Sequence, residues 1–391
     1  MNVPVYLDNN ATTRMDRRGV EAMLPLMEET YGNPSSRQHE FGWRAEAVVE
    51  LARGRVAALV GAVPGEIIFT GGATESVNIA LKGVARGRGR EGKRIVTSAT
   101  EHSAVLDACL RLEQEGFEIV RLPVDATGLV DPDDVRSALG PGTILVSVMS
   151  ANNEIGTLAP VAEIGALCAE RGVLFHTDAT QAAGKISIDM HAMHVDLLSF
   201  SAHKMYGPKG VGALAIREGR PAIRIMPLVD GGGQEKGIRP GTLNVPGIAG
   251  FGVAAEIAAS VMPEESVRLA RLRDRLVETL RAGLEGVRVN GHPARRLPGT
   301  ANVLFPGAPA DAVMMAMKDV AVSAGSACSS SSPEPSHVLK AIGLTREETL
   351  SSLRFSAGRF TTEEEIDYAA GRVCETVRKI AGSTARMENV H

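Results

Sequence analysis

Five polar side chains with useful chemistry each follow a short apolar run of the sequence. Thr74 follows "EIIF", His102 follows "RIVTS", Asn153 follows "TILVSVMS", Asp178 follows "VLFHT" and Lys204 follows "VDLLSF". A lysine just beyond a buried strand is suited to form a Schiff base, because partial desolvation lowers the charge on its amine. The pattern therefore points to chemistry on a carbonyl compound.

Pyridoxal 5′-phosphate would use all of these groups, since it needs an amine, an acid for its ring nitrogen, a phosphate cup and a stacking partner. Lys204, Asp178 and His102 would supply the amine, the acid and the stacking ring. The turn "TGGATES", together with Ser201 and His203, would hold the phosphate at a helix N-terminus. Taken singly, each group has a structural alternative, such as a helix cap or a buried hydrogen bond.

The elements that position these groups alternate between strands and helices from about residue 60 to residue 220. Apolar runs such as "EIIFT" and "TILVSVM" lie between helical segments such as "VAEIGALCAERG". This alternation predicts an α/β fold with a mostly parallel central sheet and helices on both faces. Ligands of such sheets bind beyond the carboxyl ends of the strands, where the five side chains lie.

The pattern changes near residue 262 and predicts a second, smaller α+β domain. The segment "RLARLRDRLVETLRAGL" places its leucines on one helical stripe, and shorter strand runs follow. We expect a large domain over residues 16–261 and a small domain formed by residues 1–15 and 262–391. The leucines of the stripe are Leu269, Leu272, Leu276 and Leu280.

One of the four cysteines, Cys328, stands in the small-residue segment "VSAGSACSSSS". Buried structural cysteines sit among large apolar neighbours, so this composition predicts an exposed and movable thiol. Cys109, Cys168 and Cys374 lie in helical patterns and are expected to be buried. Without CxxC pairs the chain offers no disulfide framework or zinc site, which favours a reducing, cytoplasmic location.

Composition and charge exclude several other classes of protein. The net charge of −4 gives no reason to expect a nucleic-acid or membrane partner. The basic stretch "VARGRGREGKR" is expected to be a solvated loop before a strand, and an RNA contact is its alternative. No apolar run approaches the roughly 20 residues of a membrane span. The first residues, "MNVPVYLDNNATTR", lack the features of a signal peptide.

The chain closely resembles the NifS/IscS-type cysteine desulfurases, a class-V aminotransferase family with the pyridoxal-phosphate-dependent fold type I. The likeness extends nearly from end to end. Its motifs are "YLDNNATT", "GNPSS", "FTGGATES", "TEHSAV", "NNEIGTLAPV", "HTDATQAAGK", "SFSAHKMYGPKGVGAL", "GGGQEKGIRPGTLN", "GSACSSSSPEPSHVLKAIGL" and "RFSAGRFTTEEEID". Their number and order make the resemblance specific.

The resemblance implies a role for each residue that would contact the cofactor ring. Lys204 would hold the cofactor, and Asp178 would keep the pyridinium nitrogen protonated. Gln181 would bond the phenolic oxygen, and His102 would stack on the ring and shuttle protons. Lys209, by contrast, looks structural.

The resemblance also implies a phosphate site shared between two subunits. Thr74, Ser201 and His203 would bind the phosphate. In this family a threonine of the "RPGTLN" segment reaches the neighbouring subunit's phosphate, so Thr242 implies a homodimer with shared active sites.

For the substrate, the family implies L-cysteine held by Asn153 and Arg354, a guanidinium whose fork matches a carboxylate. Cys328 matches the family's nucleophile, which takes the sulfur of cysteine as a persulfide and releases alanine. An iron–sulfur scaffold protein would accept that sulfur. Because the chain ends soon after its last helical pattern, we expect the nitrogen-fixation type rather than the housekeeping type.

Two other classes of function stay open from the sequence. A selenocysteine lyase or an aminotransferase could use the same fold, although neither needs a mobile cysteine. A non-catalytic scaffold or tRNA-associated protein could use the arginine-rich stretch. Intact residues at every cofactor position argue against that last reading.

Overall fold

The structure, a computed structural model, describes residues 4–219, 222–324 and 335–388. Within these ranges the chain forms twelve strands and eleven α-helices. The strands are β1 (Val5–Tyr6), β2 (Ile67–Thr70), β3 (Arg94–Ser98), β4 (Glu118–Leu122), β5 (Thr143–Ser147), β6 (Leu174–Asp178), β7 (Leu197–Ser201), β8 (Gly212–Ile216), β9 (Arg288–Asn290), β10 (Thr300–Leu304), β11 (Val320–Ala321) and β12 (Ser352–Ser356). The helices are α1 (Arg17–Glu28), α2 (Glu40–Leu59), α3 (Ala73–Arg88), α4 (Ser103–Gln114), α5 (Pro132–Ala138), α6 (Val161–Arg171), α7 (Val245–Gly283), α8 (Ala310–Ala316), α9 (His337–Ala341), α10 (Arg346–Leu350) and α11 (Glu363–Glu388).

The large sheet has seven strands in the order β2-β8-β7-β6-β5-β3-β4. Neighbouring strands pair in parallel from β7 to β4, while β8 runs antiparallel to both β7 and β2. Strands β2, β3, β5, β6 and β7 therefore point the same way, and their carboxyl ends meet at one edge. The mostly parallel α/β sheet predicted from the sequence is confirmed.

Helices cover both faces of this sheet, as the α/β pattern predicted. One face packs against α3 and α4 through buried side chains such as Val77, Val105 and Leu112. The other face packs against α2, α5, α6 and the first half of α7, with Val49 and Ile164 in its core. The strands between these layers are almost wholly buried, which explains why they read as continuous apolar runs.

A second hydrophobic cluster surrounds the three-stranded antiparallel sheet β12-β10-β9 and the pair β1-β11. The leucine stripe of α7 is buried in this cluster, together with Val5 and Leu7 from the start of the chain. The single helix α7 passes from one cluster to the other across residue 262. We propose that the domain division predicted from the sequence follows these two clusters.

An 18-residue window of α7 has a mean hydropathy of 1.6, so its length and composition would allow it to cross a membrane. This differs from the expectation that no apolar run of the chain approaches the length of a membrane span. In the folded chain 61% of the window is buried, with Phe251 and Ala255 packed in the core beneath the sheet. Core helices of globular proteins share this apolar character.

The arginine-rich stretch is only in part the loop that the sequence predicted, because α3 continues through Arg88 and only residues 89–93 form the loop before β3. Gly83 and Gly87 are helical, and a Cβ atom at either would meet residues 224–225 at 2.6–2.7 Å. These glycines therefore permit close packing against a neighbouring segment. Their arginine neighbours form ion pairs, Arg86 with Glu115 and Arg88 with Glu91.

Candidate active site

A cavity of about 880 Å³ lies at the edge where the parallel strands end. It brings together nine of the eleven site residues predicted from the sequence, although up to 280 residues separate them in the chain. They are Thr74, His102, Asn153, Asp178, Gln181, Ser201, His203, Lys204 and Arg354. Thr242 is exposed and does not line this cavity, and Cys328 lies outside the described residues.

Lys204 ends a short 3-10 turn, Ala202–Lys204, directly after β7. Its Nζ donates hydrogen bonds to the carbonyl oxygens of Asn10 at 2.6 Å and Ala11 at 2.7 Å. These carbonyls belong to the segment of residues 8–16, which wraps around the lysine turn. The amine is thereby held at the cavity wall by groups that only accept hydrogen bonds.

The turn after Lys204 is held by Tyr206, whose φ of 66° lies in the left-handed region. A non-glycine residue in this region is strained unless its surroundings fix it. Thr13 Oγ1 accepts the Tyr206 N–H at 2.8 Å, and the Tyr206 hydroxyl accepts the Arg359 N–H at 2.5 Å. Burial raises the pKa of this hydroxyl to about 12, so it stays protonated.

Asp178 is the last residue of β6 and is 4% exposed. One carboxylate oxygen accepts the Thr180 N–H at 2.9 Å, which fixes the side chain at the floor of the cavity. The Thr180 hydroxyl is buried without a hydrogen-bond partner and also lines the cavity. This end of the cavity thus presents an acid and a polar group with unused bonding capacity.

The N-terminus of α3 forms another part of the cavity wall. Its N-cap is Gly72, with φ at 150°, and no side chain caps the first turn. Orphan N–H groups of such a turn, with the helix dipole, form an anion site. A Cβ atom on Gly212 would lie 2.7 Å from the Gly72 Cα, so glycine is required where β8 passes the turn. Ser76, by contrast, directs its hydroxyl inward, 2.8 Å from Thr70 Oγ1.

His203 also lines the cavity, with Nδ1 3.0 Å from the Thr12 hydroxyl. Burial lowers the pKa of this imidazole to about 4, and the charge of Lys204 lowers it further in the same direction. The ring is therefore neutral at pH 7. A neutral imidazole can both donate and accept, so it can bond an anion or a hydroxyl without adding positive charge.

His102 is the N-cap of α4, and its Nδ1 accepts the Ala104 N–H at 3.1 Å. In the neutral ring this bond leaves the proton on Nε2. The structural role of a helix cap and a role in the cavity are therefore compatible. The preceding residue, Glu101, is fully buried, and burial raises the pKa of its carboxyl to about 8.

Arg354, in β12, brings a guanidinium into the cavity and is 2% exposed. Its Nη1 donates to the Asn153 carbonyl at 3.0 Å, and its Nη2 donates to Asp8 at 2.7 Å. The buried Nε has no partner. A fixed guanidinium with an unused donor is suited to bind a carboxylate.

The segment that contains Cys328 lies outside the described residues, but its described flanks bond Arg354, which lines the cavity, and Glu154, which follows the cavity residue Asn153. Before it, Ser323 pairs with Arg354 through two backbone hydrogen bonds of 2.7 and 3.3 Å. After it, Ser336 donates to Glu154 at 2.6 Å. Burial raises the pKa of Glu154 to about 7.

Several cavity residues were not predicted from the sequence. Asn10, Thr12 and Thr180 line the cavity, and Lys209, expected to be only structural, also lines it. Asn10 is the most connected, since its side chain bonds Asn153 and Thr300 while its carbonyl accepts from Lys204. The motif "YLDNNATT" marked this segment as part of the family resemblance, but it did not predict that the segment lines the cavity.

The residues present fit pyridoxal 5′-phosphate. The cavity combines an amine, an acid, an uncapped helix N-terminus and an imidazole, and two of its buried polar atoms, Thr180 Oγ1 and Arg354 Nε, lack partners. Unpartnered buried polar atoms are costly and indicate a missing ligand. In the part of the chain that the structure describes, no group of three or more His, Cys, Asp or Glu residues could hold a metal ion.

Comparison with known proteins gives the same picture. The family model "Aminotransferase class-V" matches residues 5–369. "Cysteine desulfurase IscS" of Anaeromyxobacter sp. (strain Fw109-5) is 54% identical over 380 residues, which cover 97% of this chain and 94% of that protein.

Two solved structures are also similar. A "NIFS-LIKE PROTEIN" superposes with a TM-score of 0.88 at 39% identity, covering 95% of this chain and 98% of its own. "SspA in complex with cysteine" superposes with a TM-score of 0.78 at 36% identity, covering 91% of this chain and 99% of its own. The resemblance predicted from the motifs is confirmed. The chain therefore belongs to the class-V aminotransferase family, among the cysteine desulfurases, whose cofactor is pyridoxal 5′-phosphate.

Proposed function

We propose that the protein removes the sulfur of L-cysteine, releases L-alanine and retains the sulfur as a persulfide on Cys328. The observation that carries this proposal is the cavity in which Lys204, Asp178 and Arg354 converge. Of the described flanks of the Cys328 segment, one bonds Arg354 of the cavity and the other bonds Glu154, which follows the cavity residue Asn153 in the chain. The solved structure of one relative, SspA, which is 36% identical to this chain, is a complex with cysteine.

The cofactor, when bound, supplies an electron sink for the carbon skeleton of the substrate. Lys204 would hold it, and Asp178 would keep its ring nitrogen protonated. The first turn of α3 would bind the phosphate, with Thr74, Ser201 and the neutral His203. Gln181 would donate a hydrogen bond to its phenolic oxygen.

Arg354 would bind the substrate carboxylate through its unused Nε and its remaining N–H groups. Asp8 and the Asn153 carbonyl already fix the plane of the guanidinium, so little order is lost on binding. Nε2 of His102 would carry protons above the site. Asp178 and Arg354 are almost wholly buried, so their charge interactions are stronger than they would be in water.

The sulfur transfer balances without a further reactant. The Cys328 thiolate attacks the substrate sulfur, so that an S–S bond forms as the carbon–sulfur bond breaks. The electron pair of that bond goes to the carbon, which takes up a proton and becomes the methyl group of alanine. Cysteine and the enzyme thiol thus give alanine and an enzyme persulfide.

The test is alanine and protein-bound persulfide formed from L-cysteine, in wild type and Cys328→Ala. Wild type should form both products, and the variant should form neither above background, because its nucleophile is missing. Cys109→Ala is the matched control, since that thiol is buried. Alanine production at the wild-type rate by Cys328→Ala would contradict the proposal and favour a lyase that forms no enzyme persulfide.

A homodimer with shared active sites is part of the proposal. Large apolar side chains are exposed on and near α1 and α2 and in residues 226–229, a composition typical of an interface. They are Leu24, Met27, Tyr31, Phe41, Trp43, Met226 and Val229. Thr242 is exposed outside the cavity of its own chain, which suits a contact with the phosphate of a second subunit.

Mixed dimers of Lys204→Ala and Thr242→Ala chains test this sharing. If Thr242 serves the partner's site, one of the two sites in the mixed dimer is intact. The purified mixed dimer should then have about half of the wild-type activity, and an equal mixture that pairs at random should have about a quarter, because only half of its dimers are mixed. If Thr242 acts within its own chain, both sites stay defective and mixing restores nothing.

For the fate of the sulfur, we propose delivery to an iron–sulfur scaffold protein in the cytoplasm. The proposal is supported by the persulfide chemistry and by the resemblance to the NifS/IscS type. The relatives' names include both IscS and NifS-like, so the nitrogen-fixation type stays a prediction. The three cysteines that the structure describes are free thiols, in keeping with a reducing compartment.

A further inference from the structure

A second lysine, Lys185, lies beside the residues of the proposed cofactor site, and the reaction proposed above does not use it. Its Nζ donates to Gln181 Oε1 at 2.8 Å and to Asn10 Oδ1 at 3.2 Å. The lysine also lines a separate cavity of about 20 Å³, between Asn10 and Glu265. Lys185 thus lies between Gln181, which lines the active-site cavity, and the separate small cavity.

The other end of the Gln181 amide shares a hydrogen-bond acceptor with the proposed cofactor lysine, Lys204. Gln181 Nε2 donates to the Asn10 carbonyl oxygen at 2.9 Å, and Lys204 Nζ donates to the same oxygen at 2.6 Å. The amide nitrogen and the lysine amine are therefore neighbours on one carbonyl. Gln181 is 3% exposed, so water cannot readily satisfy either end of its amide.

An amide has nearly the same shape in its two flipped orientations, so its hydrogen-bond partners decide which end faces the cavity. Protonated Lys185 can only donate, so it bonds the oxygen of the amide. Without Lys185, Oε1 would be a buried acceptor without a donor, which is costly. The amide could then turn, giving up its hydrogen bond to the Asn10 carbonyl and bringing its oxygen to the amine of Lys204, which supplies the missing donor.

We propose that Lys185 is a positioning residue, which keeps the nitrogen rather than the oxygen of the Gln181 amide at the Lys204 end of the cavity. The inference rests on the proposed function, in which Lys204 holds the cofactor and Gln181 donates to its phenolic oxygen. A turned amide would place an acceptor where that donor is required. It would also stabilise the protonated form of the link between Lys204 and the cofactor.

Charges near Lys185 act in the same direction. Burial lowers the pKa of Lys185 to about 7, and Lys204 and Arg354 lower it while Glu265 raises it. A charged Lys185, present below that pKa, repels a proton on the Lys204 linkage. Above it the neutral amine still carries two N–H donors and can still bond Gln181 Oε1. Removing the side chain should therefore raise the pKa of the linkage between Lys204 and the cofactor, whichever protonation state Lys185 has.

The experiment is a pH titration of the visible absorption of the holoenzyme, in wild type, Lys185→Met, Lys185→Gln and Lys185→Arg. For Lys185→Met we expect a midpoint raised by about half a pH unit or more, and roughly tenfold weaker cofactor binding. Lys185→Arg and Lys185→Gln each keep a donor and should shift the midpoint less. Lys318→Met, at an exposed lysine, is the matched control and should not move it.

The outcomes separate the inference from the proposed function. A Lys185→Met holoenzyme with wild-type midpoint and wild-type cofactor affinity would overturn the positioning role. So would a Lys185→Gln midpoint shifted as far as that of Lys185→Met, since charge alone would then explain the shift. If Lys185→Met does not fold, Lys185→Ala takes its place. Absence of alanine production in wild type would instead refute the proposed function.

Discussion

Replacing Lys204 by alanine is expected to abolish the visible absorption band of the bound cofactor and to lower kcat/KM on the order of 10⁴-fold or more. Lys204 places its Nζ at the junction of β7 and the segment of residues 8–16, held by two carbonyl oxygens. An alanine offers no amine for the aldehyde of the cofactor. The band and the activity should therefore disappear together.

The cavity provides its own control for this experiment. Lys209 also lines it but follows β7 by eight residues and is exposed. Lys209→Ala should retain the absorption band, because its amine does not lie on the carbonyls that hold Lys204. If Lys204→Ala kept the band, or if Lys209→Ala lost it instead, the assignment of the cofactor lysine would be wrong.

The thermal stability of the Lys204→Ala and Lys209→Ala variants is a further control. The Lys204 side chain satisfies the Asn10 and Ala11 carbonyls, and its loss leaves them with fewer donors. Thermal unfolding of the two lysine variants without cofactor would show whether either substitution disturbs the fold. A loss of absorption in a variant that unfolds like wild type then reports on the amine itself.

The parts of the fold that sequence predicted best are those with strong local signals. Strands such as β5 and β6 are buried on both faces, so they read as unbroken apolar runs between helices. Because parallel strands end at one edge, the residues that follow them could be placed in one site. Asp178 and Lys204 were found this way.

The sequence could not reveal contacts between distant segments. Asn10 bonds Lys204, Gln181 and Lys185, the first of these across 194 residues, and a short polar motif gives no sign of such partners. The antiparallel insertion of β8 was equally hidden, since an apolar run does not state its direction. Both the partners of Asn10 and the direction of β8 are set by the packing of the whole chain.

The error in the arginine-rich stretch has a specific physical cause. Glycines usually mark loops, because they weaken helices by about 1 kcal/mol each. In α3, Gly83 and Gly87 instead allow the neighbouring chain to approach, and that packing outweighs the lost propensity. Tertiary contacts of this kind cannot be read from composition.

The second large effect is expected for Asp178→Asn, a change of charge with almost no change of shape. Asparagine can still accept the Thr180 N–H through its side-chain oxygen, so the local structure should persist. It cannot stabilise a positive ring nitrogen, because it carries no negative charge. We expect kcat to fall on the order of 10³-fold, while the visible absorption of the bound cofactor remains.

Asp189→Asn is the matched control for this substitution. Asp189 likewise accepts backbone N–H groups, from His191 and Ala192, but it lies outside the cavity. The same change there should leave kcat within about twofold of wild type, since surface substitutions are usually small in effect. An Asp178→Asn enzyme with kcat within tenfold of wild type would show that the carboxylate only caps the turn at Thr180. The negative charge that keeps the ring nitrogen protonated would then have to come from another group.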